Sequence, residues 1–237
     1  MTEHTVRAFG EKLEALTTSV AQVGGLAEAQ LADALEAISR RDTAKAEAVI
    51  ASDRRIDQLQ YQIEDQALKL LALRQPMAVD LRETLAALKM ASELERIGDL
   101  AKNIAKRAIV LNREQPIRLT QSLARMGRQV LAQLKQVLDA YARRDAASAQ
   151  AVWKQDGEID EIYNSLFREL LTYMMEDPRT IGLCTHLLFV AKNIERAGDH
   201  CTNVAETVYH MVSGDHLAPD RPKADVTSET SVPYGHQ

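Results

Sequence analysis

A chain of 237 residues is long enough for one large domain or two smaller ones, each with a hydrophobic core. Hydrophobic residues make up 46% of it and aromatic residues only 4%, which favours helices packed through Ala and Leu over a β-sandwich. The net charge is −5 and no long block of one sign occurs, so neither nucleic-acid binding nor a basic membrane anchor is indicated. We find no signal-peptide core and no apolar stretch of membrane-spanning length, and therefore expect a cytoplasmic protein.

Helical periodicity extends along the first half of the chain, and two residues mark where helices begin. Asp42 follows a pair of arginines and is a predicted N-cap for a helix over residues 43–73. Pro76 lies near the first turn of the next helix, where its missing N–H costs no hydrogen bond. This half of the sequence therefore predicts three helices, the first of which precedes Asp42.

The second half of the chain repeats this order of signals. Pro116 marks the start of a helix after a short polar link, and Asp145 is the predicted N-cap of a helix over 146–175. Asp177 and the proline after it open the last helix. From residue 214 onward the composition changes to Pro, Ser, Thr and Asp, which predicts a disordered tail over 214–237.

The two halves also align residue by residue. RRDTAKAEAVIASDRRID at 40–57 matches RRDAASAQAVWKQDGEID at 143–160, and the pattern E-R-x-G-D-x-x-x-N occurs at 95–103 and again at 195–203. The predicted fold is therefore all-α, a tandem repeat of two three-helix bundles with six helices in all. The predicted boundaries are 1–114 for the first bundle, 115–213 for the second and 214–237 for the tail.

The repeated pattern places polar residues along one side of each long helix. At about 100° per residue its Glu, Asp and Asn fall within about 80° of one another, and the apolar residues fall on the opposite side. These residues are Glu95, Asp99 and Asn103 in the first copy and Glu195, Asp199 and Asn203 in the second. We therefore expect the carboxylates on a helix face that points away from the packed core.

A second pair of acids with the same spacing lies on another helix of each half. The pairs are Asp53 with Asp57 and Asp156 with Asp160. If the two acidic helices of a half are neighbours, four carboxylates converge, and such oxygen ligands suit Mg, Mn or Fe, whereas Zn more often requires His or Cys. On the pattern alone, a metal or ligand site and an ordinary solvated helix surface both stay open.

A glycine follows the first acid of the repeated pattern by three positions in both copies. A glycine inside a helix costs about 1 kcal/mol relative to alanine, so its repetition at Gly98 and Gly198 indicates that a partner chain, a helix or an ion approaches closely. Arg96 and Arg196 directly follow the first acid and can neutralise carboxylates or donate hydrogen bonds to them.

The stretch LRQPMAVDLRETLAALKMASELERIGDLAKNIAKRA resembles the signature helix of the PhoU family. The resemblance extends to FVAKNIERAGDHCTNVAE in the second copy and to GGLAEAQLADAL in the first helix, and covers roughly residues 5–213. It implies two three-helix bundles that form homodimers or higher oligomers. It also implies multinuclear metal clusters, with iron, zinc, manganese and magnesium all plausible occupants.

Carried over to this sequence, the resemblance implies two metal sites and a set of supporting residues. The first site would comprise Asp53, Asp57, Glu95 and Asp99, and the second Asp156, Asp160, Glu195 and Asp199. The supporting residues would be Arg96, Asn103, Arg196 and Asn203. The second copy has no counterpart of the P-x-A-x-D-L-R stretch that ends at Arg82, so we expect the two sites to differ in affinity or in partner use.

The function implied by the resemblance is regulatory. The protein would be a negative regulator of the phosphate-starvation response and a modulator of high-affinity phosphate uptake. Its partners would be the ATPase subunit of the phosphate ABC transporter and the sensor histidine kinase of the phosphate two-component system, and it would reach the membrane only through them. Long helical faces can serve such docking without catalysis.

Other functions differ from this one in the residues that they require. An enzyme is not expected, because the sequence contains no Glu-x-x-His pair of a di-iron bundle, no P-loop and no Gly-rich dinucleotide turn. A metal-independent helical adaptor, and an accessory protein of a different phosphate carrier, both remain open.

Overall fold

A computed structural model describes residues 2–74, 79–115 and 120–218 of the chain. The described residues form eight α-helices and no strand: α1 (Thr2–Ser39), α2 (Thr43–Ser52), α3 (Arg54–Arg74), α4 (Val79–Leu111), α5 (Thr120–Arg143), α6 (Ala146–Lys154), α7 (Asp156–Glu176) and α8 (Ile181–Ser213). A single 3₁₀ turn, Pro178–Thr180, precedes α8. Pro76, Pro116 and residues 219–237 of the predicted tail lie outside the described residues.

The prediction of six helices is confirmed when two interrupted helices are each counted once. Only Asp53 separates α2 from α3, and only Gln155 separates α6 from α7. The prediction of one unbroken helix over 43–73 is therefore wrong at Asp53, and the same holds for 146–175 at Gln155. These single-residue breaks are not visible in the helical periodicity, because the apolar positions continue across them.

The predicted N-caps of both interrupted helices are confirmed. The carboxylate of Asp42 accepts a hydrogen bond from the backbone N–H of Lys45 at 2.9 Å. The carboxylate of Asp145 accepts hydrogen bonds from two backbone N–H groups in the first turn of α6, at 3.0 and 3.1 Å. The residue before each cap, Arg41 or Arg144, has a left-handed backbone with φ of 56° or 53°, which ends the preceding helix.

The two halves pack together about a pseudo-twofold axis. Along the contact between α1 and α5, a Cβ added to Gly24 would overlap the side chain of Leu138, and one added to Gly127 would overlap that of Leu35. At the repeat offset of 103 residues, Gly127 is the counterpart of Gly24 and Leu138 is the counterpart of Leu35. Each contact therefore becomes the other when the two halves are exchanged. The glycines therefore let α1 and α5 approach closely at two equivalent points.

The long helices α4 and α8 run antiparallel through the centre of the structure. Glu93 on α4 contacts His200 on α8, and Arg107 contacts His186, so the helices meet along much of their length. The buried apolar residues of both halves form one continuous core, and the domain boundary at 114/115 stays a prediction. Within the described ranges, every helix is too short or too polar to cross a lipid bilayer.

Candidate functional site

The glycines of the repeated pattern determine where the two acidic helices of each half meet. A Cβ added to Gly98 on α4 would lie 2.9 Å from Cδ1 of Ile56, and one added to Gly198 on α8 would lie 3.0 Å from Cδ1 of Ile159. Ile56 lies between the acids Asp53 and Asp57 of its helix. The sequence left a partner chain, a helix or an ion as the neighbour that approaches these glycines. The described structure shows that the neighbour is a helix, and its close approach brings the acid pairs together.

The first cluster is built around Asp53, which occupies the break between α2 and α3 and is 6% exposed. The Nζ atom of Lys102, on α4, donates hydrogen bonds to Oδ2 of Asp53 at 2.5 Å and to Oδ1 of Asp99 at 2.7 Å. One ammonium group therefore bridges an acid of the interrupted helix and an acid of the repeated pattern. Sequence analysis did not identify this lysine, because no lysine occupies the corresponding position of the second copy.

Glu95 lies among the other three carboxylates of this cluster. Burial raises the pKa of Glu95, and the negative charges of Asp99, Asp57 and Asp53 raise it further, while Arg96 lowers it. Arg96 lies 3.6 Å from the Glu95 carboxylate through its Nε atom. All four predicted acids of the first copy therefore share one electrostatic environment, and an ionised Glu95 is repelled by its neighbours.

The second cluster lies in the corresponding place on α8 and α7. Glu195 and Asp160 are buried, and burial, together with the charges of Asp199 and Asp160, raises the pKa of Glu195 to about 7. Nζ of Lys192 lies 3.0 Å from Oε2 of Glu195 and lowers this pKa in part, and it also lies 4.9 Å from the ring centroid of Tyr163. The fourth predicted acid, Asp156, begins α7, and its side chain lies outside the described structure.

The prediction that the acids of the repeated pattern face away from the packed core is wrong for both glutamates. Glu195 is 5% exposed and the side chain of Glu95 is 16% exposed, whereas the side chain of Asp99 is 32% exposed. The acids of the interrupted helices, Asp53 and Asp160, are buried beside these glutamates. The physical reason is that the interrupted helices cover this face of α4 and α8, since the two glycines leave room for Ile56 and its counterpart. A helical wheel separates apolar from polar residues but does not show which neighbouring helix covers the polar side.

The predicted supporting residues lie in different surroundings. Arg96 is exposed beside the first cluster, and Arg196 is exposed as well. The Asn203 amide donates a 3.0 Å hydrogen bond to Oε2 of Glu93 on α4, instead of one to the acids of its own helix. Asn103 is exposed and lines a surface pocket with Lys106.

A contact between the halves that sequence analysis missed joins Glu93 to His200. The Nδ1 atom of His200 lies 2.6 Å from the same Glu93 oxygen that Asn203 contacts. Burial acts to raise the pKa of Glu93, but the hydrogen bonds from His200 and Asn203 outweigh it and lower the pKa. The pair has no repeated counterpart, since Asn193 and Leu100 occupy the corresponding positions, and no periodic signal could have found it.

The two clusters differ in how well their residues fit a metal ion. Carboxylate oxygens are the donors that Mg²⁺, Mn²⁺ and Fe²⁺ prefer, and a bound cation would offset the burial and the charge repulsion that together raise the pKa values of Glu95 and Glu195. In the first cluster the Lys102 ammonium hydrogen-bonds to two acids, whereas in the second the Lys192 ammonium pairs with Glu195, whose pKa nevertheless stays raised to about 7. Among the described residues, no group of three or more His, Cys, Asp or Glu side chains is arranged as metal ligands. The donor chemistry therefore fits a hard cation, most directly in the second cluster.

The fold and the two clusters define an all-α tandem-repeat protein with one cluster of buried and half-buried carboxylates in each half. The family described as PhoU domain matches residues 20–108 and 123–208. The chain belongs to the PhoU family. The resemblance identified from the sequence is thereby confirmed.

Relatives that resemble the chain cover almost all of it. The phosphate-specific transport system accessory protein PhoU homolog of Caulobacter vibrioides (strain NA1000 / CB15N) is 57% identical over 230 residues, 97% of this chain and 100% of that protein. The phosphate-specific transport system accessory protein PhoU of Escherichia coli (strain K12) is 38% identical, over 90% of this chain and 89% of that protein.

Two solved structures share the fold. The crystal structure of PhoU from Pseudomonas aeruginosa has a TM-score of 0.85 and 38% identity, covering 87% of this chain and 100% of that one. The phosphate transport system regulatory protein PhoU from Streptococcus pneumoniae has a TM-score of 0.82 and 30% identity, covering 89% and 99%.

Proposed function

We propose that this chain is an accessory protein of a phosphate-specific transport system and a negative regulator of the phosphate-starvation response. Relatives named as phosphate transport accessory proteins match this chain over nearly its whole length, which supports the accessory role. The solved structure from Streptococcus pneumoniae is named a regulatory protein, which supports a role in regulation. The protein acts by binding and not by catalysis. Its partners are the transporter's ATPase subunit and the sensor histidine kinase, which it meets in the cytoplasm as a homodimer.

The observation that supports metal dependence is the crowding of carboxylates in the second cluster. Glu195 is buried beside Asp160 and Asp199, and its pKa rises to about 7. Crowded acids of this kind are stabilised by a divalent cation, which neutralises them without the loss of their oxygen donors. We propose that magnesium, manganese or iron binds here and makes the protein competent for its partners, with zinc less favoured by the oxygen donors.

A metal-independent adaptor is the second candidate, and Lys102 favours it. Its ammonium group supplies to Asp53 and Asp99 the positive charge that a metal would otherwise supply. Burial lowers the pKa of Lys102, but the two hydrogen bonds outweigh it and raise the pKa, so the ammonium stays charged. In that case the clusters are internal ion pairs that hold the helices together.

The regulatory proposal is tested with a phosphatase reporter of phosphate starvation in high-phosphate medium. A strain lacking this gene receives the wild type, a cluster variant or a control variant. The cluster variant carries Asp160→Asn, Glu195→Gln and Asp199→Asn, and the control carries the same change of charge at exposed acids, Glu161→Gln, Glu169→Gln and Glu176→Gln. Wild type and control are expected to silence the reporter, and the cluster variant is expected to leave it active.

The metal proposal is tested on the same purified proteins by titration with Mn²⁺ and by elemental analysis. Wild type and control are expected to bind Mn²⁺ at the second cluster, and the cluster variant is expected to lose that binding. A cluster variant that loses the metal yet silences the reporter supports the metal-independent adaptor. If deletion of the gene leaves the reporter silent and the wild type adds nothing, the regulatory proposal is refuted.

A further inference from the structure

A second pocket lies far along α4 and α8 from the acidic clusters. It has a volume of about 380 Å³, within the range of small-molecule sites, and lies between the first turns of α4 and the last turns of α8. Arg82 is thirteen residues before Glu95, which is about 20 Å along the helix axis. The side chains that form the pocket include Arg82, Leu85, Lys89, Glu206, His210 and His216.

One wall of this pocket is built by the turn that follows α8. Gly214 has φ of 81°, and its N–H donates a 2.9 Å hydrogen bond to the carbonyl of His210. The chain then turns back, so that the ring of His216 stacks on the ring of His210 with centroids 4.1 Å apart and planes 9° apart. The left-handed backbone of Gly214 therefore creates a two-ring imidazole wall from residues six positions apart.

Beside this turn, the pocket is lined by a cation with an unused hydrogen-bond donor. The Nε atom of Arg82 is buried, and no described group accepts a hydrogen bond from it. A Cβ at residue 214 would lie 3.3 Å from Nη1 of Arg82, so the guanidinium packs directly against the glycine turn. A buried guanidinium N–H without an acceptor is costly, and an anion in the pocket would relieve that cost by supplying one.

The charge of the pocket favours an anion. Arg82 and Lys89 are positive, and Glu206 is the acidic side chain among the lining residues. An oxygen of Glu206 already accepts a 2.9 Å hydrogen bond from Nε1 of Trp153. Two cations therefore face one carboxylate that is partly satisfied, beside two imidazole rings.

The pseudo-twofold axis supplies an internal comparison. A pocket of about 450 Å³ at the other end of the α4–α8 contact contains Lys106, Arg107 and His186. There Arg107 is already engaged, because its Nη1 lies 3.0 Å from Nδ1 of His186 and its guanidinium lies 4.1 Å from the ring centroid of Phe189. The position that corresponds to Arg82 is Gly182. The arginine donor without an acceptor therefore belongs to the pocket at Arg82 and has no counterpart in the pocket at Arg107.

We propose that the pocket between Arg82 and the stacked His210–His216 pair binds a phosphate group, either as the free ion or as a monoester. Arginine recognises phosphate through several N–H donors in one plane, and Lys89 adds a second positive charge. Leu85 and the imidazole faces provide apolar surface for the remainder of a monoester. The assignment rests on neither the acidic clusters nor the proposed function.

Trp153 offers a built-in reporter, since it is the only tryptophan of the chain and its indole contacts Glu206 at the pocket. The full chain is titrated with inorganic phosphate, adenosine monophosphate and adenosine in separate arms, followed by Trp153 fluorescence and calorimetry. Saturable one-site binding of inorganic phosphate is expected for the free ion, and binding of the monophosphate alone for a monoester. Binding of adenosine as tight as that of its monophosphate would overturn the proposal, as would saturation in no arm up to millimolar concentration.

Substitutions test whether Arg82 binds the phosphate group. Arg82→Gln is expected to weaken binding about tenfold or more, as the loss of a charge-assisted hydrogen bond does. The matched control Arg107→Gln, at the opposite pocket, is expected to change the affinity less than about twofold. Lys89→Gln, at an exposed position, serves if Arg82→Gln fails to fold, and is expected to weaken binding by a smaller factor. An unchanged affinity in folded Arg82→Gln, or an equal loss in Arg107→Gln, refutes the assignment.

Discussion

Replacing Glu195 by glutamine tests whether the second cluster contains a carboxylate that is costly to ionise in the folded protein. Glu195 is 5% exposed, and its pKa is raised from 4.5 to about 7 by burial first, with the charges of Asp199 and Asp160 adding to it. The glutamine side chain has nearly the same shape but no charge. The variant therefore removes the cost of ionising this group and leaves its packing in place.

The sign of the pH effect follows from the direction of the shift. Below pH 4.5 the carboxyl is protonated in both the unfolded and the folded chain, and it carries no charge penalty. Between pH 4.5 and 7 the unfolded chain loses its proton first, so the wild type loses stability as the pH rises, and above pH 7 the loss is complete. A shift of this size corresponds to at most about 3.5 kcal/mol, since one pKa unit is worth about 1.4 kcal/mol.

The measurement is chemical denaturation of wild type and Glu195→Gln at several pH values from about 4 to 8, with a chelator present. We expect the variant to gain stability relative to wild type as the pH rises, by about 2–3 kcal/mol between the two ends. The matched control is Glu169→Gln, a change at an exposed acid on α7, for which we expect a pH-independent difference. If Glu195→Gln differs from wild type by the same amount at every pH, Glu195 is not held in a repulsive buried environment.

Three further changes test the packing and the ion pairs. Gly25→Ala, with nothing within 4 Å of the added Cβ, should gain about 1 kcal/mol in denaturation, and Gly98→Ala should gain clearly less, because its Cβ would lie 2.9 Å from the terminal methyl group of Ile56. Equal gains would contradict the close approach. Lys102→Met should make the melting temperature rise more steeply with added Mn²⁺ than it does in wild type, and an identical rise would show that the ammonium does not compete with a cation. Arg144 lies 2.6 Å from the buried carboxylate of Glu83 in the other half, so Arg144→Gln leaves that carboxylate unpaired and should cost about 1–2 kcal/mol in denaturation, against less than about 0.5 kcal/mol for Arg143→Gln. Equal costs would argue against this ion pair as a stabilising contact between the halves.

Much of the local structure could be predicted because its causes are local. The cap residues Asp42 and Asp145 act on backbone groups two or three positions away, so their role is visible in a short stretch of sequence. The repeat is visible as well, since corresponding residues recur at a nearly constant offset. The two acid pairs in each half could be named for the same reason.

The environment of those acids could not be predicted. Asp53 and Glu195 are buried because the interrupted helices lie over α4 and α8. The hydrophobic periodicity of a helix does not show which neighbouring helix covers each of its faces. The lysine that joins Asp53 to Asp99 comes from one copy only, so the repeat offered no reason to select Lys102 among many charged residues. The stacking of His216 on α8 likewise depends on one left-handed glycine beyond the last helix.

The sequence by itself determined the helical segments apart from their single-residue breaks, the caps at Asp42 and Asp145, the duplication and the positions of the paired acids, because each follows from residues close together in the chain or repeated along it. Only the tertiary structure decided which carboxylates are buried, which cation reaches them and where Arg82 is left without an acceptor. The physical reason is that burial and charge pairing depend on distances between helices far apart in sequence. Those distances are set by the packing of side chains such as Ile56 against Gly98.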